Sequence, residues 1–178
     1  MTPHNNAPEP FYLPEALWQQ MLAHVLSCLP EEACGLVGSA QSVSPATAGP
    51  VPQGVTAAVI LPIENELHSP VRFKMAPAEQ IKAFYWFDEH QLELAAIFHS
   101  HPLGPDRPSP TDLAEFAYPG VLMLIISPLF PTSTPVKTAQ DVAGWQVRAF
   151  RIDGGMATGL TAGEVPLVRV PESQRGLS

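Results

Sequence analysis

His99 and His101 are separated by one residue, seven residues separate His101 from Ser109, and Asp112 stands three beyond Ser109. The histidines close the apolar run "ELAAIFHSH", which the pattern predicts as a strand from Glu93. In an extended chain residues i and i+2 point to the same face, so the two imidazoles form a clamp of two nitrogens. A zinc site with three protein ligands and an open fourth position is the catalytic form. Asp112 completes such a set if the chain reverses, and Pro102, Gly104, Pro105, Pro108 and Pro110 provide the means. The same "SPTD" also reads as an ordinary helix start, with Ser109 as N-cap, Pro110 at the first helical position and an acid in the first turn.

Metal-assisted hydrolysis also needs a group to carry the water's proton to the leaving amine, and a carboxylate near the metal suits that task. Glu31 and Glu32 stand together in "PEEACG", ahead of a small apolar strand. An acid entering such a strand is costly to bury without a partner, which makes Glu32 the better candidate. The alternative is that both glutamates are solvated at a helix end. His24, His68 and His90 read as core or solvated residues, and Trp18, Trp86 and Trp145 as packing groups. Cys28 and Cys34 form no zinc-like pair of pairs and are expected to be reduced and buried.

The elements that must position these groups follow from periodicity. Leu17, Trp18, Met21, Leu22, Val25, Leu26 and Leu29 recur at helical spacing, with Pro14 suited to the first turn and Pro30 as the stop. "ACGLVGS", "VTAAVILPI" and "PVRFKM" read as strands around a tolerant loop that runs to about Gly54. A second helix is predicted from Pro77, with Ile81, Phe84, Tyr85 and Phe87 inward. A short helix around "TDLAEFA", the fully apolar strand "VLMLIIS", a Pro/Thr/Ser loop over 128–142 and the strand "GWQVRAFRI" complete the series. This order predicts an α/β layered domain whose sheet is covered by helices.

Composition narrows the partners. Of 178 residues, 46% are hydrophobic, and 17 acidic against 9 basic residues leave a net charge of −8 without a basic stripe, which argues against nucleic acid. A chain of this length buries roughly 70% of its unfolded surface and needs no disulfides. The start "MTPHNNAPEP" has no basic or apolar leader and "VLMLIIS" is too short to cross a bilayer, so a cytoplasmic protein without membrane contact is expected.

Taken together, Glu32, the His99–His101 pair, Ser109 and Asp112 resemble the hallmark of the JAMM (MPN-plus) zinc metallopeptidases, of the stand-alone prokaryotic type. In that family a glutamate precedes a small apolar strand, followed by H-x-H, seven residues, S, two residues and D, and every spacing matches. The resemblance extends from about Leu13 to Ile152. It implies an MPN/cytidine-deaminase-like α/β fold, a mixed sheet flanked by helices, in a metallopeptidase domain over 11–152. A flexible tail over 1–10 and an extension over 153–178, packed on the domain or partly disordered, would flank it. It implies that His99, His101 and Asp112 bind one Zn2+ with a water as fourth ligand, that Glu32 takes and passes the proton, and that Ser109 donates to the oxyanion. It also implies a substrate: a ubiquitin-like sulfur-carrier protein ending in Gly-Gly, from which cysteine or another amine is released. Arg107, inside the metal loop, is the residue expected to meet a substrate carboxylate. The competing expectation is a metal-free MPN scaffold, which would lack one or more ligands. An amidohydrolase would need a barrel of about 250 residues, and a metallo-β-lactamase would need further ligands that "HPLGPDRP" does not supply.

Overall fold

A computed structural model describes residues 8–40, 54–130, 136–141, 143–155 and 159–171. Its elements are β1 (Phe11–Pro14), α1 (Glu15–Cys28), β2 (Cys34–Ala40), β3 (Val55–Ile63), α2 (Pro77–Glu89), β4 (Leu92–Ser100), α3 (Pro110–Glu115), β5 (Leu122–Pro128), β6 (Trp145–Gly155), β7 (Gly159–Val165) and β8 (Leu167–Val170). The strands form one mixed sheet in the order β7-β6-β5-β4-β2-β3-β1-β8. Pairing is parallel at β4–β5, β1–β3 and β1–β8 and antiparallel elsewhere. This is the α/β fold expected from the sequence, a mixed sheet flanked by helices. The tail over 1–7, the loop over 41–53, residues 131–135 and 142 of the proline-rich loop, and 172–178 lie outside the described residues. Among the described residues no helix is long and apolar enough to cross a membrane.

Strand alternation divides the interior in two. Phe98 of β4 and Leu124 and Ile126 of β5 pack on Leu17, Trp18, Met21 and Val25 of α1, forming the larger cluster. On the other face Ile97 joins Leu36, Ile63, Ala83 and Phe87 under α2, while Met123 and Ile125 pack with Phe150. β5 is therefore buried on both sides, which is why its sequence is continuously apolar instead of alternating.

Three local expectations are corrected. "PVRFKM" is not a strand: the segment makes one isolated bridge, Asn65 to Met75, and the Asn65 side chain holds the rest. α2 turns Ala83 and Phe87 inward, and Ile81, Phe84 and Tyr85 are exposed, because the helix meets the sheet along a narrower stripe than its apolar content suggests. Phe11–Pro14 is a strand, and Pro14, expected in the first turn of the helix, ends that strand at the N-cap position of α1. It pairs in parallel with β8, so the segment beyond residue 152 continues the same sheet.

β2 approaches β4 closely at Gly35. A Cβ there would lie 2.5 Å from the Leu61 carbonyl oxygen and 2.5 Å from the Phe98 ring. Gly35→Ala is therefore expected to cost about 1–3 kcal/mol through overpacking, read as a lower Tm in excess chelator.

Candidate active site

The candidate groups meet where β2 begins and β4 and β5 end. Cys34 of β2 lies opposite His99 of β4. Continuing that antiparallel register sets Ala33 against Ser100 and Glu32 against His101. Two bonds fix the continuation: Ser100 N–H donates to the Ala33 carbonyl at 2.9 Å, and Ala33 N–H donates to Ser100 Oγ at 2.8 Å. On the other side His101 N–H donates to the Ile126 carbonyl of β5 at 2.8 Å. Glu32, Cys34, His99 and His101 thus share one face by alternation.

His99 Nε2 lies 3.0 Å from His101 Nε2 and 3.4 Å from Asp112 Oδ1, and His101 Nε2 lies 3.3 Å from Asp112 Oδ2. Three donors about 2.0–2.1 Å from one zinc ion at tetrahedral angles stand about 3.3 Å apart, so the spacing fits the ion. The protonation pattern fits as well. His101 Nδ1 lies 2.8 Å from the Pro105 carbonyl, which can only accept, so Nδ1 carries the proton and a neutral ring turns the Nε2 lone pair toward the cluster. His99 is fully buried; its ring is stacked on Phe73 at 4.3 Å, and its Nδ1 has no hydrogen-bond partner among the described residues. Two nitrogens and a carboxylate with these spacings could hold one divalent cation.

Asp112 reconciles the two sequence readings. Its Oδ2 accepts from Ser109 N–H at 2.6 Å, and Ser109 Oγ accepts from Asp112 N–H at 3.1 Å. This is a capping box at the start of α3, with Pro110 in the first turn. The cap orients the carboxylate toward the imidazoles and leaves the Ser109 hydroxyl hydrogen free to donate. Burial pushes the Asp112 carboxyl up, but the imidazoles and the Ser109 N–H outweigh it and hold it well below the ordinary carboxylate range. Burial also opposes charge on both histidines; it prevails at His99, whereas at His101 the Asp112 carboxylate, the Pro105 carbonyl and Glu32 raise the pKa.

The two glutamates part company. Glu31 is half-buried, with 37% of its side chain exposed, and sits 3.1 Å from His68 Nδ1. Glu32 is 4% exposed, and its backbone is gripped on both sides: its N–H donates to the Ser69 carbonyl at 2.8 Å and its carbonyl accepts from Asn65 Nδ2 at 3.0 Å. Asn65 also donates to the Arg72 carbonyl and accepts from the Leu67 and Lys74 N–H groups. The sequence offers no sign of this clamp beyond an asparagine in a turn. Burial pushes the Glu32 carboxyl up to about 8, with Asp112 adding to it and His101 opposing it.

That shift has a stability consequence. In the metal-free protein Glu32 stays protonated between its ordinary value of 4.5 and about 8, whereas the unfolded chain ionises. Stability is therefore undiminished below pH 4.5 and falls as pH rises through the window. Glu32→Gln, which mimics the protonated form, is expected to stabilise the chelator-treated protein by about 3 kcal/mol at pH 7. A Tm gain of about 6 °C or more at pH 7 that vanishes near pH 4 checks it.

The remaining sequence candidates lie apart from the cluster. Arg107 is 70% exposed, with Nε 3.6 Å from Asp106 Oδ1. His24 donates from within α1 toward the Cys34 carbonyl at 3.2 Å, and His90 stacks on Trp86. Cys28 is half-buried, Cys34 is buried, and both are free thiols. Beside Asp112 a cavity of about 220 Å³ opens between Phe73, Met75, Ile97, Phe116, Tyr118 and Met123.

The chain belongs to the prokaryotic homologs of the JAB domain, whose family model matches residues 14–145. The JAMM resemblance read from the sequence is thereby borne out at the level of the family. The chain is 32% identical over 105 residues to a probable TtuB-protein conjugate cleaving protease of Thermus thermophilus, covering 58% of this chain and 62% of that one. It is 42% identical over 65 residues to a desampylase of Pyrococcus furiosus, covering 36% of this chain and 46% of that one. The chain thus spans less than two thirds of the length of these relatives. A solution structure from Desulfitobacterium hafniense superposes with a TM-score of 0.65 at 26% identity, over 94% of this chain and 99% of the other. One from Salinibacter ruber shares the fold, with a TM-score of 0.54 at 22% identity over 94% of this chain and 95% of the other.

Proposed function

We propose that the protein is a zinc metallopeptidase that hydrolyses the amide or isopeptide bond after the Gly-Gly terminus of a ubiquitin-like sulfur-carrier protein, releasing cysteine or another amine. The convergence of His99 Nε2, His101 Nε2 and the Asp112 carboxylate within 3.0–3.4 Å, opposite the buried Glu32, carries this reading. The names of the two relatives, a conjugate-cleaving protease and a desampylase, support the substrate class. The catalytic domain in this reading runs over 11–152.

His99, His101 and Asp112 would hold the zinc ion, which when bound supplies Lewis acidity to the attacked carbonyl and to the water. Glu32, kept out of solvent at the edge of the cluster, takes one proton from the attacking water. It delivers that proton to the nitrogen as the C–N bond breaks, leaving a Gly-Gly carboxylate and a free amine. The Ser109 hydroxyl, with its lone pair already engaged by Asp112 N–H, donates to the oxyanion developing on the carbonyl. The apolar cavity beside Asp112 gives the residues ahead of Gly-Gly a surface to bury. Arg107, exposed in the loop between His101 and Ser109, would meet a carboxylate on the leaving group.

A panel of Gly-Gly-ended ubiquitin-like carriers, extended by cysteine or linked through lysine, tests the reading by mass spectrometry. Cleavage after Gly-Gly that a chelator abolishes and zinc restores is expected. Cleavage indifferent to chelator, or none across the panel, would overturn it.

A further inference from the structure

Beyond the stretch that the family model matches, one group of side chains reaches back to the metal loop. Arg148 of β6 lies opposite Ile125 of β5, which lies opposite His99 of β4. Residues in register share a face of the sheet, so the Arg148 side chain rises on the side that carries His99. There its guanidinium grips Glu164 of β7 as a fork, Nε to Oε1 at 2.8 Å and Nη2 to Oε2 at 2.5 Å. The remaining Nη1 donates to Asp106 Oδ2. Arg148 also lies over the Phe150 ring at 5.6 Å, and only 26% of its side chain is exposed. A bidentate, partly buried guanidinium is a firmer anchor than an exposed single ion pair.

What the anchor holds is the peptide beside the ligand. Asp106 directly follows Pro105, whose carbonyl receives the His101 Nδ1 proton. Among the described residues, the loop between His101 and Ser109 has few other hydrogen bonds: Gly104 N–H donates to the His101 carbonyl at 3.2 Å, and prolines supply no donors. If the Pro105 carbonyl turned away, the His101 proton could sit on either nitrogen, and the tautomer with Nε2–H presents no lone pair to a cation.

We propose that Arg148, gripped by Glu164, is a positioning residue that holds Asp106 and, through it, the Pro105 carbonyl, so that His101 presents its Nε2 lone pair to the metal. The inference rests on the zinc reading above. It makes β6 and β7, most of whose residues fall outside the matched stretch, part of the machinery for metal binding.

The test is zinc affinity of the full chain, measured by competition with a chromophoric chelator, beside the Tm of each variant in excess chelator. Arg148→Met and Asp106→Asn are each expected to weaken zinc binding about 10–100-fold, with the double variant no weaker than the worse single one. Glu164→Gln should fall between these and wild type. Arg148→Lys should recover only part, because an ammonium cannot make the fork. Nitrogen-15 NMR of His101 should show Nδ1–H in the wild type and a tautomer mixture in Asp106→Asn. Affinity within twofold of wild type in both Asp106→Asn and Glu164→Gln, or additive losses in the double variant, would overturn the tether. These two changes are at half-exposed or exposed positions and keep the test open if Arg148→Met does not fold. A wild-type chain that takes up no zinc would sink the function reading instead, and the His101 tautomer then decides the tether alone.

Discussion

Glu32→Gln is expected to bind one zinc per chain as the wild type does and to cleave its substrate about 10²–10⁴-fold more slowly. The substitution keeps the shape of a side chain that is 4% exposed and removes only its capacity to take a proton. Because Glu32 supplies none of the three clustered donors, its loss leaves the cation's coordination in place. The contrast with Glu31 sharpens the expectation. Glu31 turns outward to His68, and Glu31→Gln should leave kcat within twofold. Glu32→Gln should also be more stable than wild type in chelator at neutral pH, since burial holds the native Glu32 carboxyl near a pKa of about 8. Lower activity with higher stability separates a lost base from a damaged fold.

The second large effect falls on Asp112. Asp112→Asn preserves an oxygen that can accept from Ser109 N–H, so the start of α3 survives. It removes the one anion among the three donors, and zinc affinity should fall by more than the roughly 100-fold that loss of an outer partner costs. Ser109→Ala is the complementary change. It removes the N-cap, at about 0.5–2 kcal/mol of stability, and the hydroxyl donor, at about 10²–10³ in kcat, while zinc stays bound. Competition titration and steady-state kinetics on the two variants separate holding the metal from stabilising the oxyanion.

What was legible in the sequence is what local rules govern. Alternation along "ELAAIFHSH" places His99 and His101 on one face, and "SPTD" encodes a capping box whose acid also reaches the imidazoles. The choice of Glu32 over Glu31 follows from proximity to an apolar strand, and the structure buries Glu32 and leaves Glu31 outside. What was hidden depends on contacts distant in sequence. β1 has four residues and forms a strand because β3 and β8 flank it. Residues 70–75 look like a strand by composition, but the Asn65 side chain takes the backbone bonds a neighbour would supply. Phe73, read as a strand residue, stacks on His99. Asp106 and Arg148 are 42 residues apart, and nothing in either neighbourhood signals that they meet.

Native mass spectrometry of the wild type and of His101→Ala, each equilibrated with a small excess of zinc, decides whether His99, His101 and Asp112 form a zinc centre. One zinc per wild-type chain is expected, with none retained by the variant. A wild-type chain that carries no zinc, or a variant that keeps its zinc undiminished, would contradict it.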